Sequence, residues 1–287
     1  MPENHHIEEI IRNRSSVRTY EKRPLDERAR LSLEEFCGEP QTGPFGASVR
    51  LKLAAAREED AAALKGLGTY GFIKNPAGFI IGAVGDGERN LEDFGYVMEE
   101  ALLRAAALGL GSCWLGGSFT KSAFSARIGA GLGETVPAVI SVGHPAEKRG
   151  AVDRAIRWSA GSKNRRPPEE LFFTDHGRAP LPPGFAGGLA VALEMVRLAP
   201  SASNRQPWRL VVDGEEAHLF LERTKGYHER NKRLLNMADL QRVDMGIAAC
   251  HFEKAARTRG LHGGWRVDVA PPAPEGWEYI ASWKKKR

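Results

Sequence analysis

The sequence predicts an α+β chain built from two similar halves. Three observations lead there. Segments of helical and of strand periodicity alternate along the chain. A Gly/Pro-rich stretch interrupts them over 177–188, and beyond it the pattern of the first part starts again. The length, 287 residues, suits one large domain or two modest ones.

Ile7, Ile10 and Ile11 stand at helical spacing and predict a short amphipathic helix over 6–14. A second helix is expected over 26–36, with Asp26 as its N-cap and Leu31, Leu33 and Phe36 as apolar positions. Over 47–55, Val49, Leu51 and Leu53 alternate with Ser48, Arg50 and Lys52, as in a strand with one buried face. Residues 77–84 are apolar without alternation, the pattern of a strand covered on both faces. The clearest helix follows. Phe94, Val97, Met98, Ala101, Leu102, Ala105 and Leu108 step by threes and fours, with Asp93 in the first turn and Gly109 at the stop. Residues 136–142 give another buried strand, closed by Gly143-His144-Pro145. Past the Gly/Pro-rich stretch come a helix over 190–198, strands over 208–212 and 218–221, and a long helix over 244–258.

The restart reads as an internal repeat. When Asp93 is placed on Asp244, Gly95 meets Gly246, Ala105 meets Ala256, Gly109-Leu110 meets Gly260-Leu261, and Trp114 meets Trp265. Any two amphipathic helices ending in Gly-Leu look alike, but amphipathicity does not demand the matched Asp, Gly and Trp. The expected organisation is a first half over 1–176, a linker over 177–188 and a degenerate second half over 189–287. Two similar halves in one chain can pack about a pseudo-two-fold axis, so that a monomer imitates a symmetric dimer.

Composition narrows the function classes. Hydrophobic residues make up 42% and charged residues 27%, ordinary for a chain with a core and unlike a disordered one. The net charge of +5 is mild, and much of it sits in Lys284-Lys285-Lys286-Arg287. That tail reads as a solvated end, with a nucleic-acid or membrane patch as the alternative. Acidic residues are interleaved with the basic ones and no aromatic/basic stripe exists, so neither nucleic acid nor membrane is expected as a partner. Cys37, Cys113 and Cys250 lie far apart with no Cys-x-x-Cys pair, which argues against a disulfide framework or a cysteine zinc site and fits a reducing cytoplasm. No apolar run reaches the roughly 18 residues needed to span a bilayer.

Four constellations carry candidate chemistry. Arg14-Ser15-Ser16-Val17-Arg18 sets two guanidiniums four residues apart with hydroxyls between, which suits a phosphate or a planar anion but also an ordinary polar surface. Ala199-Pro200-Ser201-Ala202-Ser203-Asn204-Arg205-Gln206-Pro207-Trp208 joins a helix to a strand. Its amides both donate and accept, matching a ring edge of alternating carbonyls and N–H groups; a Ser/Asn turn explains the serines, but not the succession Gln206-Pro207-Trp208. Gly109-Leu110-Gly111-Ser112-Cys113-Trp114-Leu115-Gly116-Gly117 is either a turn or a ligand-facing loop. Lys163-Asn164-Arg165-Arg166, before Pro167-Pro168, is a solvated loop unless it returns to the anion held by Arg14 and Arg18.

Together these residues resemble the FMN-dependent nitroreductase superfamily. Arg14, Ser16 and Arg18 match its opening signature. Pro200 to Trp208 matches its Ser/Asn/Gln-Pro-Trp motif, with Ala202 where the family has a second serine. The helix ending Gly109-Leu110-Gly111, the run Val142-Gly143-His144-Pro145 and the basic Lys163-Asn164-Arg165 are similar to its later signatures. One departure is informative. The family's Ser/Asn motif lies between its first signature and its Gly-Leu-Gly helix, where this chain has Pro40-Gln41-Thr42-Gly43-Pro44-Phe45; the intact motif falls in the second half. In family homodimers the FMN lies between subunits, so the resemblance is to a tandem-fused branch in which one chain supplies both sides of a single site.

What the resemblance implies is a three-layer α/β/α arrangement in which helices flank mixed or antiparallel sheets, with the halves forming a pseudo-dimer. Arg14, Ser16, Lys163 and Arg165, supported by Ser15, would hold the FMN phosphate. Arg18 would lie at the phosphate or near flavin N1 and O2, where a cation favours the negative charge of the reduced ring. Pro200, Ser201, Ala202, Ser203 and Asn204 would reach the ring and its pyrimidine edge. Leu115, Gly116 and Gly117 would line N5, and Tyr70-Gly71 would face the ring. NAD(P)H is the expected transient electron donor, and a nitro, quinone or other small organic compound the acceptor, in a ping-pong exchange. No catalytic acid or base is assigned, and His144 and His251 read as structural. The alternatives are a flavin-binding sensor or store without turnover, and a deiodinase-like or flavin-consuming member of the same superfamily.

Overall fold

A computed structural model describes residues 7–56, 64–147, 164–227 and 237–286. The first part of the chain runs α1 (Ile7–Asn13), α2 (Glu27–Gly38), β1 (Gln41–Thr42), β2 (Ser48–Ala55), β3 (Gly78–Gly85), α3 (Asn90–Ala107), β4 (Gly111–Leu115), α4 (Lys121–Ile128), β5 (Glu134–Thr135) and β6 (Val139–Gly143). The second comprises β7 (Phe172–Thr174), β8 (Ala179–Pro180), α5 (Ala190–Leu198), β9 (Trp208–Asp213), β10 (Glu216–Glu222), α6 (Leu240–Thr258), β11 (Gly263–Arg266) and β12 (Trp277–Lys285). Two sheets result. The first has the order β1-β2-β3-β6-β4, with β5 also on β3, and is antiparallel throughout; the second has the order β11-β12-β10-β9-β7-β8 and is mixed. The path β2-β3-β6-β4 in one sheet corresponds strand for strand to β9-β10-β12-β11 in the other.

The continuous apolar run of β3 is explained by its two covered faces. Ile80 and Val84 belong to the core shared with α3 and α6, while Phe79, Ile81 and Ala83 join a second cluster with Phe119, Phe124 and Ile128 under α4. The chain therefore stacks as α4, first sheet, a layer of central helices, and second sheet. The main core runs unbroken from Val49 and Ile80, through Val97 and Ile247, to Leu219 and Trp283. At the centre α3 and α6 cross so closely that their backbones nearly touch at Gly95 and Gly246.

Several elements differ from expectation. Asp26 stands at the N-cap of α2, but its side chain pairs with Arg23 at 3.1 Å and caps no N–H. The expected loop over 111–115 is the strand β4, and α4 has only Phe124 and Ile128 as buried anchors. Strand β7, just before the boundary expected at 176, belongs to the second sheet. Residues 172–174 leave the first half and pair in parallel with β9, closing an edge whose N–H and C=O groups would otherwise lack partners. The stretch read as a linker carries β8, which continues that edge. The basic tail is no free end through Lys285. Lys284 and Lys285 lie in β12, where Lys284 pairs with Asp268 at 3.0 Å and Lys285 with Glu215 at 2.8 Å. No helix among the described residues is long and apolar enough to cross a membrane.

Candidate functional site

The segment after α1 lies along β4. Ser16 bridges Ser112 in parallel, Val17 N donates to the Ser112 carbonyl at 2.9 Å, and Thr19 bridges Lys74. Tyr20, fully buried, locks the far end by donating to the Val17 carbonyl at 2.7 Å. This clamp fixes Ser15, Ser16 and Arg18 on a rigid edge and turns Arg14 inward. Nε and Nη1 of Arg14 are buried and have no hydrogen-bond partner among the described residues.

Arg165 converges on the same place. Its Nη2 donates to the Leu198 carbonyl at 3.1 Å and its Nη1 to Asn204 Oδ1. Burial first, then the charges of Arg14 and Arg197, push its guanidinium down to about 10. Guanidiniums this close, one of them with buried donors left over, favour a neighbouring anion. Lys163, the other expected phosphate ligand here, lies outside the described residues.

The Ser/Asn loop is tied directly to this basic segment. Asn204 Nδ2 donates to the Asn164 carbonyl at 2.8 Å, Gln206 Nε2 to the same oxygen at 3.3 Å, and Arg166 N to Gln206 Oε1 at 2.9 Å. Inside the loop Gln206 N donates to Ser201 Oγ at 2.9 Å, and Ala202 N to Asp244 Oδ1 at 2.9 Å. Ser203, Asn204 and Gln206 all have positive φ, at 51°, 54° and 50°. Such strain in non-glycine residues persists only where surrounding contacts enforce it. Pro200 begins the loop after α5, and Tyr227 flanks it, its hydroxyl 3.3 Å from Ser203 Oγ.

Leu115 ends β4, buried, with Gly116 and Gly117 beyond it. A Cβ on Gly116 would lie 2.4 Å from Leu240 Cδ1, and one on Gly117 2.6 Å from Met237 Sδ. The glycines thus admit two side chains from the second half, Met237 just before α6 and Leu240 at its first position. Tyr70 is exposed and, like Gly71, has positive φ; their loop is joined to this region where Thr120 N donates to the Gly68 carbonyl at 3.0 Å, and to the Arg18 edge where Lys74 N donates to its carbonyl at 2.8 Å. Arg14, Arg165 and Asn204 thus lie together, and the loop that carries Tyr70-Gly71 is tied to the Arg18 edge.

Sequence reasoning gave no site role to Asp244, Met237, Leu240 or Tyr227. For Asp244 a signal existed, its match to Asp93. Asp93 accepts from Phe45 N at 2.8 Å and Ala47 N at 2.7 Å in the loop of its own half, as Asp244 accepts from Ala202. Among the described residues, no group of three or more His, Cys, Asp or Glu side chains could hold a metal ion.

The fold is α+β with two matched sheets, and Arg165 lies within reach of the Arg14 charge and bonds to Asn204. The whole fold is similar to the crystal structure of a "putative nitroreductase" from Thermotoga maritima, at 21% identity and a TM-score of 0.59, over 99% of this chain and 94% of that one. A nitroreductase family protein from Clostridium difficile 630 matches at 17% identity and a TM-score of 0.42, over 57% of this chain and 94% of its own. An FMN-dependent nitroreductase from Clostridium difficile R20291 matches at 18% and 0.38, over 50% and 89%. No curated protein matches the sequence. The sequence matches the family described as "Putative TM nitroreductase" over residues 6–256, and the chain belongs to that family of nitroreductase-like oxidoreductases.

Proposed function

We propose that the chain binds one FMN between its halves and uses it to pass two electrons from NAD(P)H to a nitro, quinone or other small organic acceptor. The observation that carries this reading is the meeting of Arg14 and Arg165 beside Asn204, with buried donors on Arg14 left over. A phosphate fits that cluster, because it offers several acceptor oxygens and roughly −1.5 to −2 charge to cations already stripped of water. Arg14, Ser16, Lys163 and Arg165 would hold it, with Ser15 in support. Pro200, Ser201, Ala202, Ser203 and Asn204 would meet the ring from the second half, and Arg18, Leu115, Gly116, Gly117 and Tyr70-Gly71 from the first.

Bound FMN supplies hydride chemistry at N5, so the protein needs no general base of its own. The chain's contribution is placement. The β4 clamp orients the Arg/Ser segment, and the Asn164–Asn204–Gln206 bonds hold the opposite wall. Arg18 supplies positive charge. The halves come from one polypeptide, so a monomer suffices for one site, and a tandem fusion accounts for the split of signatures between them.

Steady-state oxidation of NAD(P)H by purified, FMN-loaded protein, with a quinone or nitroaromatic acceptor, tests this. Parallel double-reciprocal lines are expected, as for ping-pong exchange. A second reading, a flavin binder without turnover, draws support from the side chains of Met237 and Leu240 against Gly116 and Gly117, where a substrate would need room. Coloured protein that oxidises neither NADH nor NADPH would favour it.

A further inference from the structure

A chain of hydrogen bonds crosses the core between the two segments proposed to hold the flavin ring. Trp114 Nε1 donates to Glu99 Oε2 at 2.7 Å, Glu99 Oε1 lies 2.8 Å from His251 Nε2, and His251 Nδ1 lies 3.0 Å from the Met195 carbonyl oxygen. Glu99 and His251 are both fully buried. The proton count follows from the partners. A carbonyl only accepts, so Nδ1 carries hydrogen, and an indole N–H only donates, so Oε2 accepts. One proton remains for the contact between Nε2 and Oε1. Without it, two lone pairs would face each other in an apolar interior.

Each end of this chain adjoins a wall of the proposed site. Trp114 immediately precedes Leu115-Gly116-Gly117, and Met195 lies in α5, the helix that runs into Pro200 and the Ser/Asn loop. Glu99 belongs to α3 and His251 to α6, so the pair also joins the two halves. The repeat offers an internal contrast. Trp265, which matches Trp114, donates from Nε1 to the Ala249 carbonyl of its own half at 3.1 Å, and the position matching Glu99 is Cys250. Among these matched positions, the cross-half linkage occurs on the side where the proposed flavin lies.

We propose that Glu99 and His251 are positioning residues, a buried pair joined by one shared proton that fixes the Leu115-Gly116-Gly117 loop relative to the Ser/Asn loop and so sets how tightly flavin is held. This inference rests on the FMN reading above. Its test is titration of the apoprotein with FMN, together with the visible absorption of the bound flavin, for four variants. Trp114→Phe keeps the ring but removes the donor, and should weaken FMN binding about tenfold and shift the flavin bands. Trp265→Phe makes the same truncation in the other half and should stay within about twofold. Glu99→Gln can accept from Trp114 and donate to neutral His251, and should stay within about threefold, whereas Glu99→Leu should fall at least about tenfold. If Glu99→Leu does not fold, the Trp114/Trp265 pair decides. Equal effects of those two, or Glu99→Gln falling as far as Trp114→Phe, would overturn the positioning role while leaving the FMN reading intact. Wild-type protein that binds no FMN would overturn both.

Discussion

Gly95 and Gly246 face each other where α3 crosses α6, and neither position has room for a methyl group. A Cβ on Gly246 would lie 1.8 Å from the Glu92 carbonyl oxygen, and one on Gly95 2.1 Å from the Val243 carbonyl oxygen. Both obstacles are backbone, which cannot swing aside as a side chain would. Gly246→Ala should therefore cost about 3 kcal/mol or more, seen as a lower urea midpoint at unchanged slope. Gly38→Ala, at the end of α2 with nothing within 4 Å, should change stability by less than about 0.5 kcal/mol.

Asp93 gives the fold a pH dependence of defined sign. Burial pushes its carboxyl up to about 6, against the pull of the Phe45 and Ala47 N–H groups. A folded value above the unfolded one means that its contribution is fully present below about pH 4 and lost as pH rises through about 6. From about pH 4 to about pH 7 the wild type should lose about 2 kcal/mol relative to Asp93→Asn, read from denaturant unfolding at each pH. A relative gain over that range would mean that the two N–H bonds outweigh desolvation.

Ser203 sits in the left-handed region at φ 51°, a conformation that suits glycine. Ser203→Gly should raise stability by about 1 kcal/mol, observable as a rise of a few degrees in thermal midpoint. Loss of the exposed contact to the Tyr227 hydroxyl should subtract little from that gain. A lower midpoint would show that the side chain, not the backbone, governs the loop.

Much of the architecture was legible because the residues matched between the two parts of the chain occupy positions that packing cannot vary. Gly95 and Gly246 permit the helix crossing, and Asp93 and Asp244 tie down equivalent loops, so the 151-residue offset between them reflects geometry. The Ser/Asn loop was legible because Gln206-Pro207-Trp208 has no explanation as a plain turn. Other elements depend on partners distant in sequence. β7 is three residues long and exists only through β9, and β12 mixes Glu278, Ser282 and Lys284 with its aromatics, so its ending looked like a charged tail. Gly116 and Gly117 stand out in the sequence, but the side chains that require them, Leu240 and Met237, come from the other half. Glu99 and His251 escape periodicity, since a buried polar pair interrupts the pattern that reveals a helix.

Arg14 should be worth more to the bound flavin than to the empty fold. Its buried Nε and Nη1 have no partner among the described residues, and its charge helps push Arg165 down. Arg14→Met should leave the apoprotein's stability unchanged or raise it by about 1 kcal/mol, while weakening FMN binding about 100-fold, as expected for loss of charge-assisted hydrogen bonds. Thermal unfolding of the apoprotein and quenching of FMN fluorescence on titration measure the two effects separately. A variant destabilised without loss of FMN affinity would make Arg14 a structural residue.

The most direct test of a single site shared between the halves is the stoichiometry of bound flavin. Apoprotein titrated with FMN, followed by the flavin's visible absorbance, should saturate at about one cofactor per chain, because the Arg/Ser segment and the Ser/Asn loop each occur once. Saturation at two per chain, or no binding at all, would contradict the account.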